Sequence, residues 1–299
     1  MFCLEDTTMP EIKEVITAYF SGTGGTRMVT DRISEVFAQK HVSNERIHIK
    51  HDTPSMLPPH DFLIIAYPVY AMNAPEIVYR WADSLPDVKG IEAAVISVSG
   101  GGEVFPNRAC RSRLIRKLTR KGYSVRYENM IVMPANYIKG VDIHVAAKLL
   151  EVLPIKTLGI VEAILGGTVR RDKPPLAELI LSRIALAEQF GAHRFGKGIR
   201  VDNRCTGCSA CISNCPAGNI TLADSRPVFS GKCQLCMNCI YGCPVHALTP
   251  GRMKSLVLKE GYSIKKAAEL LPLSDDIDIS DRIKGLAWVG VRKYLNEDN

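Results

Sequence analysis

The sequence lacks any long uninterrupted run of apolar residues. Its most apolar stretch, Val145 to Gly167, is broken by the charged side chains of Lys148, Glu151, Lys156 and Glu162. A membrane-spanning helix needs about 20 consecutive apolar residues. The first residues, MFCLEDTTMPEIKE, carry acids and no apolar core, unlike a secretory signal. We therefore expect a cytoplasmic protein with no membrane span.

Cysteine is scarce over most of the chain and concentrated in one segment. Of the ten cysteines, eight fall between Cys205 and Cys243, and the other two are Cys3 and Cys110. Such clustering indicates metal binding in a reducing compartment rather than a disulfide scaffold. The 299 residues, 46% of them hydrophobic, suit about two globular domains.

The cysteine-rich segment repeats the pattern C-x2-C-x2-C-x3-C-P. The first copy has Cys205, Cys208, Cys211 and Cys215, and the second has Cys233, Cys236, Cys239 and Cys243. Three thiolates at this interval suit one iron–sulfur cube, and the fourth ligates the other cube. Two zinc sites are the alternative, but zinc modules pair C-x2-C knuckles without a third cysteine two residues on.

Residues 200 to about 250 resemble bacterial-type two-cluster ferredoxins, with every ligand position filled. The resemblance implies two [4Fe–4S] clusters with crossed ligation. One cluster would take Cys205, Cys208, Cys211 and Cys243, and the other would take Cys233, Cys236, Cys239 and Cys215. The mixed charges of this segment differ from the acidic surface of a diffusing ferredoxin, which indicates a redox partner within the chain.

A strand, a glycine-rich turn and a helix are predicted upstream. Val15 to Phe20 predicts a buried strand, and Arg27 to Gln39 predicts a helix. Backbone N–H groups and hydroxyls between them suit a phosphate at a helix N-terminus. No lysine completes a P-loop, and Arg27 replaces the third glycine of a dinucleotide fingerprint. A plain strand-to-helix turn is the alternative.

The stretch YFSGTGGT resembles the [ST]-x-T-G-x-T motif of flavodoxins. This resemblance implies that the phosphate of FMN is bound by Ser21, Thr23, Gly24, Gly25 and Thr26. Further strands are predicted at residues 46–50, 62–67, 93–98 and 125–133, with helices at 74–84 and 107–121. The expected fold is α/β, a flavodoxin-like doubly wound five-stranded parallel sheet of order 2-1-3-4-5.

Two later loops are expected to surround the flavin ring. The resemblance to flavodoxins implies contacts from Pro68, Val69, Tyr70 and Asn73 after the third strand, with Tyr70 as the stacking candidate. After the fourth strand, Ser99, Gly100, Gly101 and Gly102 would let the backbone approach the ring edge. Ordinary packing of Tyr70 and a flexible glycine turn are the alternatives.

The predicted domain order has three parts. Residues 12–190 form a flavodoxin-like FMN-binding domain with a helical insertion at about 134–175, which either packs on the core or acts as a lid. Its last helix is expected at 176–190, followed by a glycine-rich linker at 191–198. Residues 198–250 form the ferredoxin domain. Residues 251–299 form a C-terminal extension with one helix at 263–271.

No acid occurs between Val104 and Tyr127, where the chain carries Arg108, Arg111, Arg113, Arg116, Lys117, Arg120 and Lys121. One interpretation is a solvated helix face. The other is a docking surface for an acidic redox partner protein on residues 108–121. No nucleic-acid-binding module accompanies the charge, so nucleic acid is not an expected partner.

The chain as a whole resembles a fusion family of anaerobic prokaryotes, in which a flavodoxin-like domain precedes a two-cluster ferredoxin domain. The resemblance implies electron transfer between two [4Fe–4S] clusters and an FMN by an iron–sulfur flavoprotein oxidoreductase. The alternative is a non-enzymatic electron carrier or reductive activator with a flavin-free docking domain. The sequence assigns no catalytic residue, no nicotinamide site, and no role to Cys3 or Cys110.

Overall fold

The computed structural model describes residues 11–274 and 277–297, with only the backbone at 188–190, so Cys3 lies outside the described residues. Five parallel strands form its central sheet in the order β2-β1-β3-β4-β5. They are β1 (Glu14–Tyr19), β2 (Ser43–His48), β3 (Phe62–Pro68), β4 (Glu92–Ser99) and β5 (Ser124–Val132). The fold-class prediction is confirmed.

Two pairs of helices cover the two faces of this sheet. They are α1 (Gly25–Gln39), α2 (Glu76–Ser84), α3 (Ser112–Arg120) and α4 (Ile143–Leu165). Alternate residues of β3 point to opposite faces, as the period of a strand requires. Ile64 packs with apolar residues of α1 and α4, whereas Leu63 and Ile65 pack with those of α2 and α3.

The segment 134–175 is helical and packs on the core, as one of the two expected outcomes has it, but the prediction that it is an insertion is wrong. Its helix, α4, lies beside α1 and completes one face of the sheet. The helix α5 (Leu176–Ala185), which was expected in that role, instead contacts the loop around Asn107. Leu176, Ile180 and Ile184 on α5 are exposed.

The predicted glycine-rich linker is also wrong, because residues 191–198 are helical. The helix α6 (Glu188–Gly198) carries the chain directly into the cysteine-rich module. Gly196 lies so close to the Cβ and Sγ of Cys233 that no side chain fits between them. This glycine therefore permits close packing of the helix rather than flexibility.

The cysteine-rich module consists of short elements arranged as two similar halves. Strand β6 (Arg200–Val201) pairs with β9 (Leu248–Thr249), and β7 (Ile220–Ala223) pairs with β8 (Arg226–Phe229), both antiparallel. The helices α7 (Ala210–Ser213) and α8 (Asn238–Tyr241) occupy equivalent places in the two halves. Each is preceded by a residue with positive φ, Ser209 in one half and Met237 in the other.

The C-terminal extension packs on the sheet module. It contains the predicted helix, α9 (Ile264–Ala268), and an unpredicted one, α10 (Val289–Asn296). Ala267 joins the apolar cluster of α1 and α4, while Trp288 and Val291 pack near Val132. No helix among residues 11–274 and 277–297 is long and apolar enough to cross a membrane.

Candidate functional site

A cavity of about 450 Å³ lies where the strands β1, β3, β4 and β5 end. Loops after these four strands line it, and Cys233, Leu235, Tyr262 and Trp288 complete its wall. In sheets of this topology, ligands bind outside the carboxyl ends of the strands, where the strand order reverses. The cavity is therefore the candidate ligand site.

The loop after β1 offers hydrogen-bond donors to an anion. Gly24 adopts a positive φ of 100° and leads into α1, whose first turn contains no acid. The Arg27 backbone N–H donates to Ser21 Oγ at 3.2 Å, and Asn136 Nδ2 donates to Thr23 Oγ1 at 2.7 Å. Thr26 Oγ1 is buried and has no hydrogen-bond partner in the described part of the chain. These residues fit a phosphate at the N-terminus of α1.

Most of the predicted flavin-binding residues line this cavity: Ser21, Thr23, Gly25, Thr26, Pro68, Val69, Tyr70, Ser99, Gly100 and Gly101. Three others do not. Gly24 faces open space and shapes the turn. Asn73 is buried, and its amide donates to the carbonyls of Ala71 and Ser182 at 2.8 Å. Gly102 lies against the backbone of Gly290.

Tyr70 stands between the cavity and the cysteine-rich module. Burial raises the pKa of Tyr70 well above its usual value, and the neighbouring Cys236 and Cys233 raise it further. The hydroxyl of Tyr70 therefore stays protonated at neutral pH. Its ring meets Phe20 edge-on, with ring centroids 6.3 Å apart. Stacking of Tyr70 on a flavin stays a prediction.

The eight clustered cysteines gather in two groups. Burial raises the pKa of Cys211, and the neighbouring Cys205, Cys208 and Cys243 raise it further. We call these four cysteines the outer group. Burial likewise raises the pKa of Cys239, and the neighbouring Cys236, Cys233 and Cys215 raise it further, as does Cys211 of the outer group. We call Cys215, Cys233, Cys236 and Cys239 the inner group. These groups have the membership of the two expected ligand sets, although Cys211 and Cys239 adjoin across them, and the crossed ligation stays a prediction. The nine described cysteines form no disulfide.

Backbone N–H groups donate to sulfur in both halves of the module. Asn219 donates to Cys215 Sγ at 3.4 Å, and Ala247 donates to Cys243 Sγ at 3.3 Å from the equivalent position. Among the described residues, no three His, Cys, Asp or Glu side chains are placed to hold a single metal ion. In a cubane cluster each cysteine binds a different iron atom. Four thiols in each group match the donor set of one cubane.

The inner group packs directly on the cavity. A Cβ atom added to Gly22 would lie 2.6 Å from the Cβ of Cys236. Gln234 Oε1 accepts the backbone N–H of Ile77 at 3.1 Å, which ties the same segment to the start of α2. In the outer group, by contrast, Cys208 is exposed. The two groups therefore differ in their access to the cavity and to solvent.

Several cavity residues carry no signal in the sequence. Tyr137 and Lys139 follow β5, and Tyr262 and Trp288 come from the C-terminal extension. The side chain of Lys139 lies over the Trp288 ring, with Nζ 5.2 Å from the ring centroid. The loop after β5 could have been suspected, since it follows a parallel strand. No local pattern marks the two residues of the extension.

The basic run on residues 108–121 is largely paired inside the molecule. Arg111 is 0% exposed and donates to Glu128 at 2.7 Å and to Asp172 at 2.5 Å. Its other partners are Glu103 and Ser97. Arg108 pairs with Glu178, and Lys117 with Asp83. Arg111 therefore cannot belong to a docking surface, which corrects the expectation for that residue, whereas Arg116 and Arg120 are exposed.

Residues 197–254 match the family model of the 4Fe-4S dicluster domain. The match confirms the resemblance of this segment to bacterial-type ferredoxins. The chain therefore joins an iron–sulfur module to a flavodoxin-like sheet, an arrangement that serves electron transfer. No curated protein matches the chain.

Solved structures with the same kind of sheet cover about half of the chain. A flavodoxin from the domain Archaea is 16% identical and covers 50% of this chain and 98% of its own, with a TM-score of 0.35. Oxidised flavodoxin 2 of Bacillus cereus is 15% identical over 50% and 98%, with a TM-score of 0.39. General stress protein 14 of Treponema denticola, in complex with FMN, is 12% identical over 52% and 98%, with a TM-score of 0.36. The fold assignment rests on the sheet order rather than on these distant likenesses.

Proposed function

We propose that this protein transfers electrons between two [4Fe–4S] clusters and an FMN held in the cavity, as a cytoplasmic iron–sulfur flavoprotein oxidoreductase. The observation that carries the proposal is the direct packing of Cys236 against Gly22, with Cys233 in the cavity wall. Gly22 belongs to the loop after β1, residues 20–24, which we call the phosphate loop. Electron tunnelling falls steeply with distance. A cluster on the inner group would therefore lie close to any ligand of the cavity.

The cavity lining combines hydroxyl groups with apolar and aromatic side chains, as FMN requires. Ser21, Thr23 and Thr26 would hold the phosphate with the N-terminus of α1. Tyr70 and the backbone of residues 99–101 would contact the ring. When bound, FMN takes electrons singly or in pairs, and so couples one-electron clusters to two-electron chemistry.

The two cysteine groups suggest a direction for electron flow. The inner group would serve the flavin, and the outer group, with Cys208 exposed, would exchange electrons at the surface. An acidic redox partner protein is part of the proposal. On residues 108–121 such a partner would meet the exposed Arg116 and Arg120, which have no ion pair among the described residues. Arg108, Arg111, Lys117 and Lys121 each pair with a carboxylate, and the Arg113 guanidinium lies over the Tyr79 ring.

Counting iron and flavin in protein purified without oxygen tests the proposal. We expect about eight irons per chain, and FMN released by acid. Iron without flavin would favour a non-enzymatic carrier or reductive activator whose flavodoxin-like domain only docks. Colourless protein that contains zinc would overturn the whole proposal.

Two matched cysteine variants test which cysteines hold the iron. Cys208→Ser removes one thiol of the outer group and should lower the iron content to about four per chain, with FMN retained. Cys110→Ala removes a buried thiol that lies outside both groups, and it should leave iron and FMN unchanged. Equal iron loss in the two variants would contradict the assignment of cysteines to clusters.

A further inference from the structure

Thr23 in the phosphate loop is held by two residues from outside that loop. Asn136, which follows β5, donates from Nδ2 to Thr23 Oγ1 at 2.7 Å. Tyr262, from the C-terminal extension, places its hydroxyl beside the Thr23 side chain and donates to the Pro134 carbonyl at 3.2 Å. Both side chains line the cavity.

The hydrogen bonds of Thr23 determine where its hydroxyl accepts and where it can donate. An amide N–H can only donate, so Thr23 Oγ1 accepts from Asn136 and keeps its own proton for another partner. The Tyr262 hydroxyl gives its single proton to Pro134, so towards Thr23 it can only accept. Burial raises the pKa of Tyr262, which keeps this hydroxyl protonated. While the loop is empty, the single Thr23 proton therefore goes to Tyr262, and an anion that enters the loop competes with Tyr262 for it.

Two neighbouring hydroxyls, those of Ser21 and Thr26, also have a proton to donate. Ser21 Oγ accepts the backbone N–H of Arg27 and so retains its own proton for donation. Thr26 Oγ1 is buried without a partner among the described residues. Three hydroxyl donors therefore converge on the N-terminus of α1, a position that favours a negatively charged ligand.

The segment that carries Asn136 is itself fixed in place. Tyr241 donates from its hydroxyl to the Asn136 carbonyl at 2.9 Å and accepts the Leu258 backbone N–H at 2.8 Å. Asn136 Nδ2 also lies 3.4 Å from the Cys236 carbonyl. Asn136 therefore contacts the phosphate loop and the inner cysteine group at once.

We propose that Asn136 is a positioning residue that holds Thr23 as a hydrogen-bond donor to the FMN phosphate, and that Tyr262 accepts the Thr23 proton while the loop is empty. Through Tyr262, the C-terminal extension becomes part of the cofactor site rather than an appended tail. This inference rests on the proposed function, because it takes FMN as the ligand of the cavity.

The test compares FMN with riboflavin, which has the same ring and ribityl chain but no phosphate. Dissociation constants are measured by flavin fluorescence on the full-length protein with its clusters present and its flavin removed. We expect Asn136→Ala to weaken FMN binding about 5- to 20-fold, since a hydrogen bond to a charged group is weakened. Tyr262→Phe should strengthen FMN binding by about 2- to 5-fold, since a competing acceptor of the Thr23 proton is removed. Riboflavin binding should stay the same in both variants.

A double-mutant cycle tests whether Asn136 acts through Thr23. Thr23→Val keeps the side-chain shape, removes the hydroxyl, and should weaken FMN binding about 30-fold. Adding Asn136→Ala to Thr23→Val should then cause no further loss, because coupled residues are not additive. Tyr123→Phe, at a buried tyrosine outside the cavity lining, is the control for hydroxyl removal and should change neither affinity.

The outcomes separate this inference from the proposed function. If the unmodified protein binds neither flavin, or binds both equally well, the proposed phosphate site and the proposed function fail. If it prefers FMN but Asn136→Ala lowers the affinity for both flavins equally, or Tyr262→Phe weakens FMN binding, the inference alone is overturned. Full additivity in the cycle would also overturn it.

Discussion

The sheet module and the cysteine-rich module are stabilised in different ways. Every residue of β3 from Phe62 to Tyr67 is 0% exposed, and apolar clusters fill both faces of the sheet. The strands of the cysteine-rich module have only two or four residues, and its apolar cluster includes the thiols of both groups. A small domain with so little core depends on metal ligation for its fold. The sheet module does not.

Removing iron should produce the largest effect, because it tests directly whether only the cysteine-rich module depends on metal. After the clusters are dissolved anaerobically with a chelator, we expect amides of residues 200–250 to lose their protection against hydrogen exchange. Amides of β3 should keep theirs, since apolar side chains of the sheet and its helices fill both faces, and Cys236 is only partly buried against one of them. Exchange followed by mass spectrometry on the full chain measures both. Protection that persists at 200–250 would show that the module folds without metal.

The sheet module should instead be sensitive to its buried ion cluster. Arg111→Met would leave the carboxylates of Glu128, Glu103 and Asp172 without their shared cation. Breaking one partner out of a buried ionic cluster costs about 3–5 kcal/mol of unfolding free energy. Urea unfolding followed by the fluorescence of Trp81 measures this loss. Arg116→Met on α3, which begins directly after Arg111, should change stability by less than about 0.5 kcal/mol. Equal effects would refute a buried role for Arg111.

Local periodicity predicts the sheet well, because each strand follows a simple rule. Apolar runs such as Phe62 to Tyr67 are buried on both sides, and each is followed by a crossover helix. Apolar stripes on helices are less informative. The stripe of α4 is buried against α1, whereas Leu176, Ile180 and Ile184 on α5 are exposed. Sequence alone cannot say which of two successive amphipathic helices reaches the sheet.

The cavity shows the same limit. The loops after β1, β3 and β4 could be predicted as its walls, because parallel strands bring their carboxyl ends to one edge. Thr23 and Tyr262 are far apart in the sequence, so no local pattern predicts their contact. Gly196 illustrates a third reason, since a glycine needed for close packing against Cys233 looks in sequence like a flexible linker.

Gly22→Ala should separate the two modules without unfolding either. The new Cβ would lie 2.6 Å from the Cβ of Cys236 and 3.1 Å from the Tyr70 hydroxyl, so the inner group must move away. We expect iron and FMN to be retained while electron transfer from dithionite-reduced clusters to the flavin slows several-fold in stopped-flow measurements. Gly24→Ala is the matched control, because its Cβ meets open space and only its positive φ is strained, by about 1 kcal/mol. The control should weaken FMN binding without slowing this transfer, and a transfer rate unchanged by Gly22→Ala would exclude the direct route.

The smallest effect is expected at the surface of the basic run. Four of its seven charges pair with carboxylates and Arg113 lies over the Tyr79 ring, so the exposed Arg116 and Arg120 are the residues placed to steer an acidic partner. Changing both to Glu should slow electron exchange with an acidic ferredoxin by about 3- to 10-fold at low salt. Screening should remove the difference near 0.5 M salt, where the Debye length is only about 4 Å. Arg32→Glu on α1 is an exposed control on the opposite face of the sheet, and its exchange rate should stay within about twofold of the unmodified protein. If Arg32→Glu slows the exchange as much as the double change does, net charge rather than docking explains the rate. The basic run then contributes only to the stability of the sheet module.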